Sequence, residues 1–227
     1  MPTAGNMHIM FFNDRIDAAV LLAQKLARYK NKNPLILAIP RGAVPMAKVI
    51  ADKLNGDLDV VLVSKLPAPM NPEFAIGAIA ENGWTHIADW AADTGATPEY
   101  IEEQKKAQLE KMRQRRKQYT ALLEPIDCRD RITIVVDDGL ATGATMITAL
   151  HSLRKMEPKE LVVAVPVSSP TALAEVEKYA DTVIFLLAPM FFRAVGQFYA
   201  EFPQVSDKEV METLAAKRDK TQSERKE

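Results

Sequence analysis

Ile132-Thr133-Ile134-Val135-Val136-Asp137-Asp138-Gly139-Leu140-Ala141-Thr142-Gly143-Ala144-Thr145 decides how this chain folds. The first five residues are apolar or β-branched and predict a short buried strand. That strand ends in two adjacent carboxylates. A loop of small and hydroxyl residues follows, and residues 144–156 carry a helical pattern. In an open parallel sheet, ligands bind beyond the carboxyl ends of the strands. Neighbouring carboxylates repel, so Asp137 and Asp138 need hydroxyl donors, a cation or water to stay ionised. At residues 141–145, free amides and the positive end of the helix dipole favour a phosphate. Thr142 and Thr145 add hydroxyl donors, and Gly143 allows close backbone approach. A ligand that satisfies both halves is a sugar phosphate. The plain alternative is a buried strand followed by a solvated acidic turn.

The flanking sequence repeats the alternation. Residues 35–39 form an apolar run that ends at Pro40-Arg41-Gly42, and a helical pattern covers 44–54. Residues 60–63 predict a second buried strand, 161–165 and 182–187 two more, with a helix over 171–179 between them. Short apolar strands separated by amphipathic helices imply a parallel sheet covered on both faces. Before the first strand, Asp14 to Asp17 open a helix with Ala19, Leu22, Ala23 and Leu26 on one face. Residues 66–72, with Pro67, Pro69 and Pro72, are too rich in proline to predict a regular element. Asn82-Gly83 between two extended runs predicts a hairpin whose turn residues take positive φ. Thr97-Pro98 reads as an N-cap and first helical residue, and that helix should reach about residue 123. Its basic residues, among them Lys105, Lys111, Arg113, Arg115 and Arg116, alternate with Glu102, Glu103 and Glu110. This is the pattern of a solvated face, and the apolar stripe of the same helix is a candidate contact for a second subunit. Ser206 with Glu209 has capping-box spacing and opens a last helix, and residues 218–227 lack apolar anchors, which predicts a disordered tail.

Bulk properties narrow the classes. The chain has 227 residues, is 48% hydrophobic and 26% charged, and has a formal net charge of −1. That balance gives no field for holding nucleic acid. One cysteine, Cys128, excludes an internal disulfide and a thiolate metal cluster. His8, His86 and His151 show no metal-ligand spacing. No apolar run reaches the length of a membrane span and no leader pattern opens the chain, so a cytoplasmic setting is expected.

The run at 132–145 resembles the signature for 5-phosphoribosyl-1-pyrophosphate (PRPP) in type I phosphoribosyltransferases, a family of nucleotide metabolism. The resemblance implies an α/β domain with a mostly parallel central sheet and a small C-terminal hood. It places the ribose hydroxyls on Asp137 and Asp138 and the 5′-phosphate on Ala141, Thr142, Gly143, Ala144 and Thr145. It places pyrophosphate on Arg41 and Gly42, and a neutralising cation at Lys65. Gly139 departs from the family, which more often has an aliphatic residue there. In purine members a C-terminal hood stacks an aromatic on the acceptor base. Here Phe192, Phe198 and Tyr199 are the aromatic candidates, and Ala194 and Val195 resemble the stretch beside the base, although aromatics this dense more often form core than a ligand platform.

The implied layout is one domain over 1–227, with a lid loop and hairpin at 66–88, an inserted helix at 97–123 that marks a subgroup, and a hood with the last helix at 188–217. Glu73 in the lid reads as an exposed charge rather than a base. The implied reaction joins the phosphoribosyl group of PRPP to a nitrogen acceptor and releases pyrophosphate. Mg2+ would be held mainly by PRPP rather than by side chains, and a homodimer is expected. The partners are PRPP and a small acceptor, with no nucleic acid and no membrane. The alternative is a regulatory protein that senses PRPP or a nucleotide on the same fold with little or no catalysis. A dinucleotide-dependent oxidoreductase lacks its glycine fingerprint after the first strand.

Overall fold

Asp14 accepts the amide of Asp17 at 2.8 Å and so caps the first helix, α1 (Arg15–Lys25). A computed structural model describes residues 12–120 and 125–224, with the side chains at 73, 120 and 217–224 outside that description. β1 (Leu35–Ala38) is buried throughout. It feeds α2 (Ala43–Leu54), which Asn55 closes in the left-handed conformation. β2 (Asp57–Val60) follows, then β3 (Val63–Ala68), β4 (Asn71–Ala80), β5 (Thr85–Ile87) and α3 (Pro98–Thr120). The chain continues through β6 (Ile132–Val136), α4 (Ala144–Arg154), β7 (Glu160–Val167), α5 (Pro170–Val176), β8 (Thr182–Leu187) and α6 (Asp207–Glu224).

The central sheet has the order β2-β1-β6-β7-β8, and every pairing in it is parallel. Side chains alternate across a strand, so each buried strand supplies both faces. Ile36, Ala38, Ile134 and Val136 join the core beneath α1 and α2. Leu35, Leu37, Val135 and Val163 join the core under α4 and α5. This two-sided burial is why the strands read as continuous apolar runs rather than alternating ones.

Three segments depart from the sequence expectations. The second central strand lies at Asp57–Val60, not at 60–63. The proline-rich stretch is no irregular loop: it forms an antiparallel hairpin, β3 and β4, turning at Pro69 and Met70, and β5 completes a three-stranded sheet. Prolines fit there because β3 is an edge strand and Pro67 sits at a shift of register. Lys65 therefore rides on this second sheet. The third departure is at the C-terminus, where α6 runs to Glu224, past the expected start of the tail at 218. Lysine, glutamine, glutamate and arginine at 217–224 are good helix formers and extend a helix capped by Ser206 and Glu209.

The Asn82-Gly83 turn joins β4 to β5 as expected, although only Gly83 takes positive φ, at 89°. The long helix is capped by Thr97, whose Oγ1 accepts the amide of Tyr100 at 3.2 Å. Its apolar stripe packs within the chain: Met112 and Tyr119 are buried against the main core. Arg116 is not solvated. It donates to Glu81 and to the carbonyl of Val60, and lies 3.4 Å from the buried Asp59. Glu102–Lys105 and Glu110–Arg113 do form the exposed charge pairs expected of the outer face. Leu123 and the end of the expected helix lie outside the described residues.

Candidate active site

The order of the central sheet reverses between β1 and β6: β2 lies outward of β1, while β7 and β8 lie outward of β6. The loops after β1 and β6 therefore leave in opposite directions and open a crevice. A cavity of about 350 Å³ fills it. Arg41, Gly42, Asp137, Asp138, Ala141, Thr142, Gly143 and Thr145 line it, together with Lys65 from the hairpin and Val195 from the segment between β8 and α6. One crevice thus gathers most of the residues singled out in the sequence. Ala144, the first residue of α4, is not among its lining residues.

The two carboxylates differ. Asp137 accepts the amide of Asp138 on Oδ1 at 2.9 Å. Burial pushes its carboxyl well above the usual range, and the neighbouring Asp138 charge adds to this, while the Asp138 amide, Lys65 and Arg15 oppose it. Asp138 is raised less decisively, because the Arg15 guanidinium offsets its burial. Arg15 donates to Asp138 Oδ2 from Nε at 3.0 Å and from Nη2 at 2.9 Å. The Arg15 guanidinium thus favours the charged form of Asp138, while burial and the adjacent charge disfavour that of Asp137.

Gly42 is where the first loop passes this ion pair. A Cβ there would stand 2.0 Å from Asp138 Oδ2. The Pro40–Arg41 peptide beside it is cis. Arg41 lines the cavity, but its guanidinium also reaches Asp207 at the start of α6, 3.5 Å away. Asp207 receives Arg115 from α3 at 3.7 Å and the Tyr119 hydroxyl at 3.4 Å. Burial pushes that phenol up to about 12.

In the loop after β6, Gly143 is left-handed at φ 79° and stands at the N-cap of α4. The helical ladder begins with the Ile147 amide on the Gly143 carbonyl, so the amides of Thr145 and Met146 precede it. Ser169 donates its hydroxyl to the Ala141 carbonyl at 2.8 Å and holds the loop from outside. Gly139 has its own reason: a Cβ there would lie 2.6 Å from a Val195 methyl. Val195 occupies the space an aliphatic side chain would need.

The aromatic expectations divide. Phe198 and Tyr199 are buried, so they are core rather than a stacking platform. Phe12 packs on Tyr199 at 5.3 Å and donates its amide to the Phe198 carbonyl. Phe192 packs on Phe198 at 5.5 Å, and Ala194 is exposed; of the three acceptor candidates only Val195 lines the cavity. The Glu73 side chain and His8 lie outside the described residues. His151 stacks on Trp84 at 4.2 Å, and Cys128 is buried; neither lines the cavity.

Sequence reasoning missed Arg15, Tyr199 as a donor, Ser169 and Asp207. Arg15 had a signal: a cation in the first turn of a helix opposes the dipole and calls for a partner. The others act across more than twenty residues of chain, and nothing local marks them.

Among the described residues, no group of three or more His, Cys, Asp or Glu side chains is placed to hold a metal ion. With Asp138 Oδ2 already taken by Arg15, the donor set fits a cation carried on substrate oxygens and not a protein cage. Among the described residues no helix is long and apolar enough to cross a membrane.

Residues 13–202 match the phosphoribosyl transferase domain family. A protein of Mycobacterium tuberculosis strain H37Rv, provisionally named phosphoribosyl transferase Rv0571c, is 40% identical over 213 residues. That alignment takes in 89% of this chain and 46% of the relative, so the chain spans about half the length of the curated proteins it matches. The crystal structure of TT1426 from Thermus thermophilus has a TM-score of 0.77 at 40% identity, covering 91% of this chain and 99% of the other. A uracil phosphoribosyltransferase of Clostridioides difficile is 39% identical over 64 residues, 28% of this chain and 31% of its own.

Proposed function

Because the chain belongs to the phosphoribosyl transferase domain family, we propose that it transfers the 5-phosphoribosyl group of PRPP to a nitrogen of a nucleobase and releases pyrophosphate. The bond from the anomeric carbon to pyrophosphate breaks, a carbon–nitrogen bond forms, and the acceptor nitrogen loses its proton. The observation that carries this reading is the single crevice that joins two carboxylates to a helix N-terminus, with only residues 139–142 between Asp138 and the N-cap Gly143.

The residues have separable tasks. Asp138, ionised opposite Arg15, accepts from one ribose hydroxyl, and Asp137 holds the other. The amides and hydroxyls of 141–145 hold the 5′-phosphate at the positive end of α4. Arg41 and the backbone at Gly42 meet pyrophosphate, where a guanidinium grips two oxygens at once. Lys65 faces the same space and stabilises charge on the leaving group. Fixing both ends of the sugar leaves the anomeric carbon between leaving group and acceptor, and much of the rate comes from that placement. Mg2+ bound to the pyrophosphate oxygens would neutralise them further. Val195 bounds the acceptor side. A homodimer in the cytoplasm is the expected setting; the exposed Met190 and Phe191 leave apolar surface for a second copy.

Pyrophosphate release from PRPP and Mg2+, assayed with adenine, hypoxanthine, guanine, xanthine, uracil and no base, tests this. Release that depends on one base supports it. Heat of PRPP binding with no release on any acceptor would favour the sensing alternative, and no binding at all would sink both.

A further inference from the structure

We infer that Arg15 is a positioning residue for the sugar: it fixes Asp138 with Oδ2 turned inward and Oδ1 left for a ribose hydroxyl, and ties that carboxylate to the hood. The inference rests on the reading of the crevice given above. Arg15 is only 9% exposed, and each of its polar nitrogens is committed. Nε and Nη2 both donate to Asp138 Oδ2, and Nη1 donates to the Pro203 carbonyl at 2.7 Å. The guanidinium carbon lies 3.7 Å from the centre of the Phe202 ring. Two bonds to one oxygen leave the carboxylate no rotation that keeps them both, so the other oxygen is set as well.

The hood holds the same residue from its backbone. The Tyr199 hydroxyl donates to the Asp138 carbonyl at 2.7 Å. Gly42 completes the arrangement, since a Cβ there would also stand 3.3 Å from Arg15 Nε. Segments far apart in sequence, from α1, the first loop, the end of β6 and the hood, therefore meet at one carboxylate. Asp138 lines the cavity and Arg15 does not, so the guanidinium acts on the site through that carboxylate. The charged and titratable groups around Asp138 are Arg15, Asp137, Lys65 and Tyr199, with Glu209 of α6 acting on Arg15.

Calorimetric titration of Arg15→Gln and Arg15→Lys with PRPP and, separately, inorganic pyrophosphate tests this. Pyrophosphate meets the first loop and Lys65 but not Asp138, and serves as the internal control. Arg15→Gln is expected to weaken PRPP about ten- to hundredfold, the loss of one charge-assisted hydrogen bond to the ribose, with pyrophosphate within about twofold of wild type. Arg15→Lys keeps the charge but not the fork, and should lose less. Without the guanidinium the acid limb of PRPP binding moves to higher pH, because Asp138 loses its counter-charge. Should Arg15→Gln fail to fold, Arg15→Lys decides by the same comparison. Unchanged PRPP affinity in a folded variant overturns the inference alone, as does an equal loss of both ligands. A wild type that binds pyrophosphate but not PRPP overturns the functional reading and this inference together.

Discussion

Replacing Gly42 by alanine puts the geometry of the crevice to a quantitative test. The backbone at Gly42 is right-handed helical, φ −56° and ψ −35°, so alanine meets no conformational penalty. In open space the change would stabilise the protein by about 0.4–1 kcal/mol through the unfolded chain. Here the new methyl would lie 2.0 Å from Asp138 Oδ2 and 2.9 Å from its Cγ. The carboxylate must retreat by about 1 Å, which pulls it off two charge-assisted bonds worth about 1.5–3 kcal/mol each. If half of that is recovered by adjustment, the clash outweighs the entropic gain and the net cost is about 1–2 kcal/mol. Urea unfolding of Gly42→Ala, Asp138→Ala and the double variant measures this. In the Asp138→Ala background the same glycine change should be neutral or stabilising, giving a coupling of about 1 kcal/mol or more. A Gly42→Ala protein as stable as wild type, or an equal cost in both backgrounds, would refute the reasoning.

Other changes follow the same logic. Gly143→Ala forces a side chain into the left-handed region and within 3.1 Å of a Val176 methyl; stability should fall by about 1–2 kcal/mol and affinity for a sugar 5-phosphate with it, by thermal unfolding and titration. Arg116→Met removes the cation that α3 sets beside the buried Asp59 and Glu81, and should cost about 3 kcal/mol in denaturant midpoint analysis. Asp137 has a folded pKa raised above its unfolded one, so its contribution is fully present below the ordinary carboxylate range and is lost as pH rises through the raised value. Asp137→Asn should therefore remove that slope and stabilise the ligand-free protein at neutral pH while weakening PRPP; melting temperatures at stepped pH check the first part.

The doubly covered sheet was legible because its strands are apolar on both faces and its helices are periodic. The crevice was legible because Asp137, Asp138 and the small-residue loop are consecutive. The proline-rich stretch misled, since composition alone does not say that Pro67 falls on an edge strand at a shift of register. Phe198 and Tyr199 stayed ambiguous for a related reason: an aromatic run reads alike whether it faces a ligand or Phe12, and the structure resolves it toward core. The Arg15–Asp138 pair spans 123 positions and comes into being only when α1 meets the end of β6. Gly139 departs from the family pattern, and Val195, more than fifty residues on, supplies the reason.

The most direct measurement is a crystal structure of the protein soaked with PRPP and Mg2+. The account predicts the ribose hydroxyls at Asp137 and Asp138, the 5′-phosphate on the amides of 141–145, and pyrophosphate at Arg41 and Gly42. Density for PRPP elsewhere, or with its phosphate ends exchanged between the two loops, would contradict it.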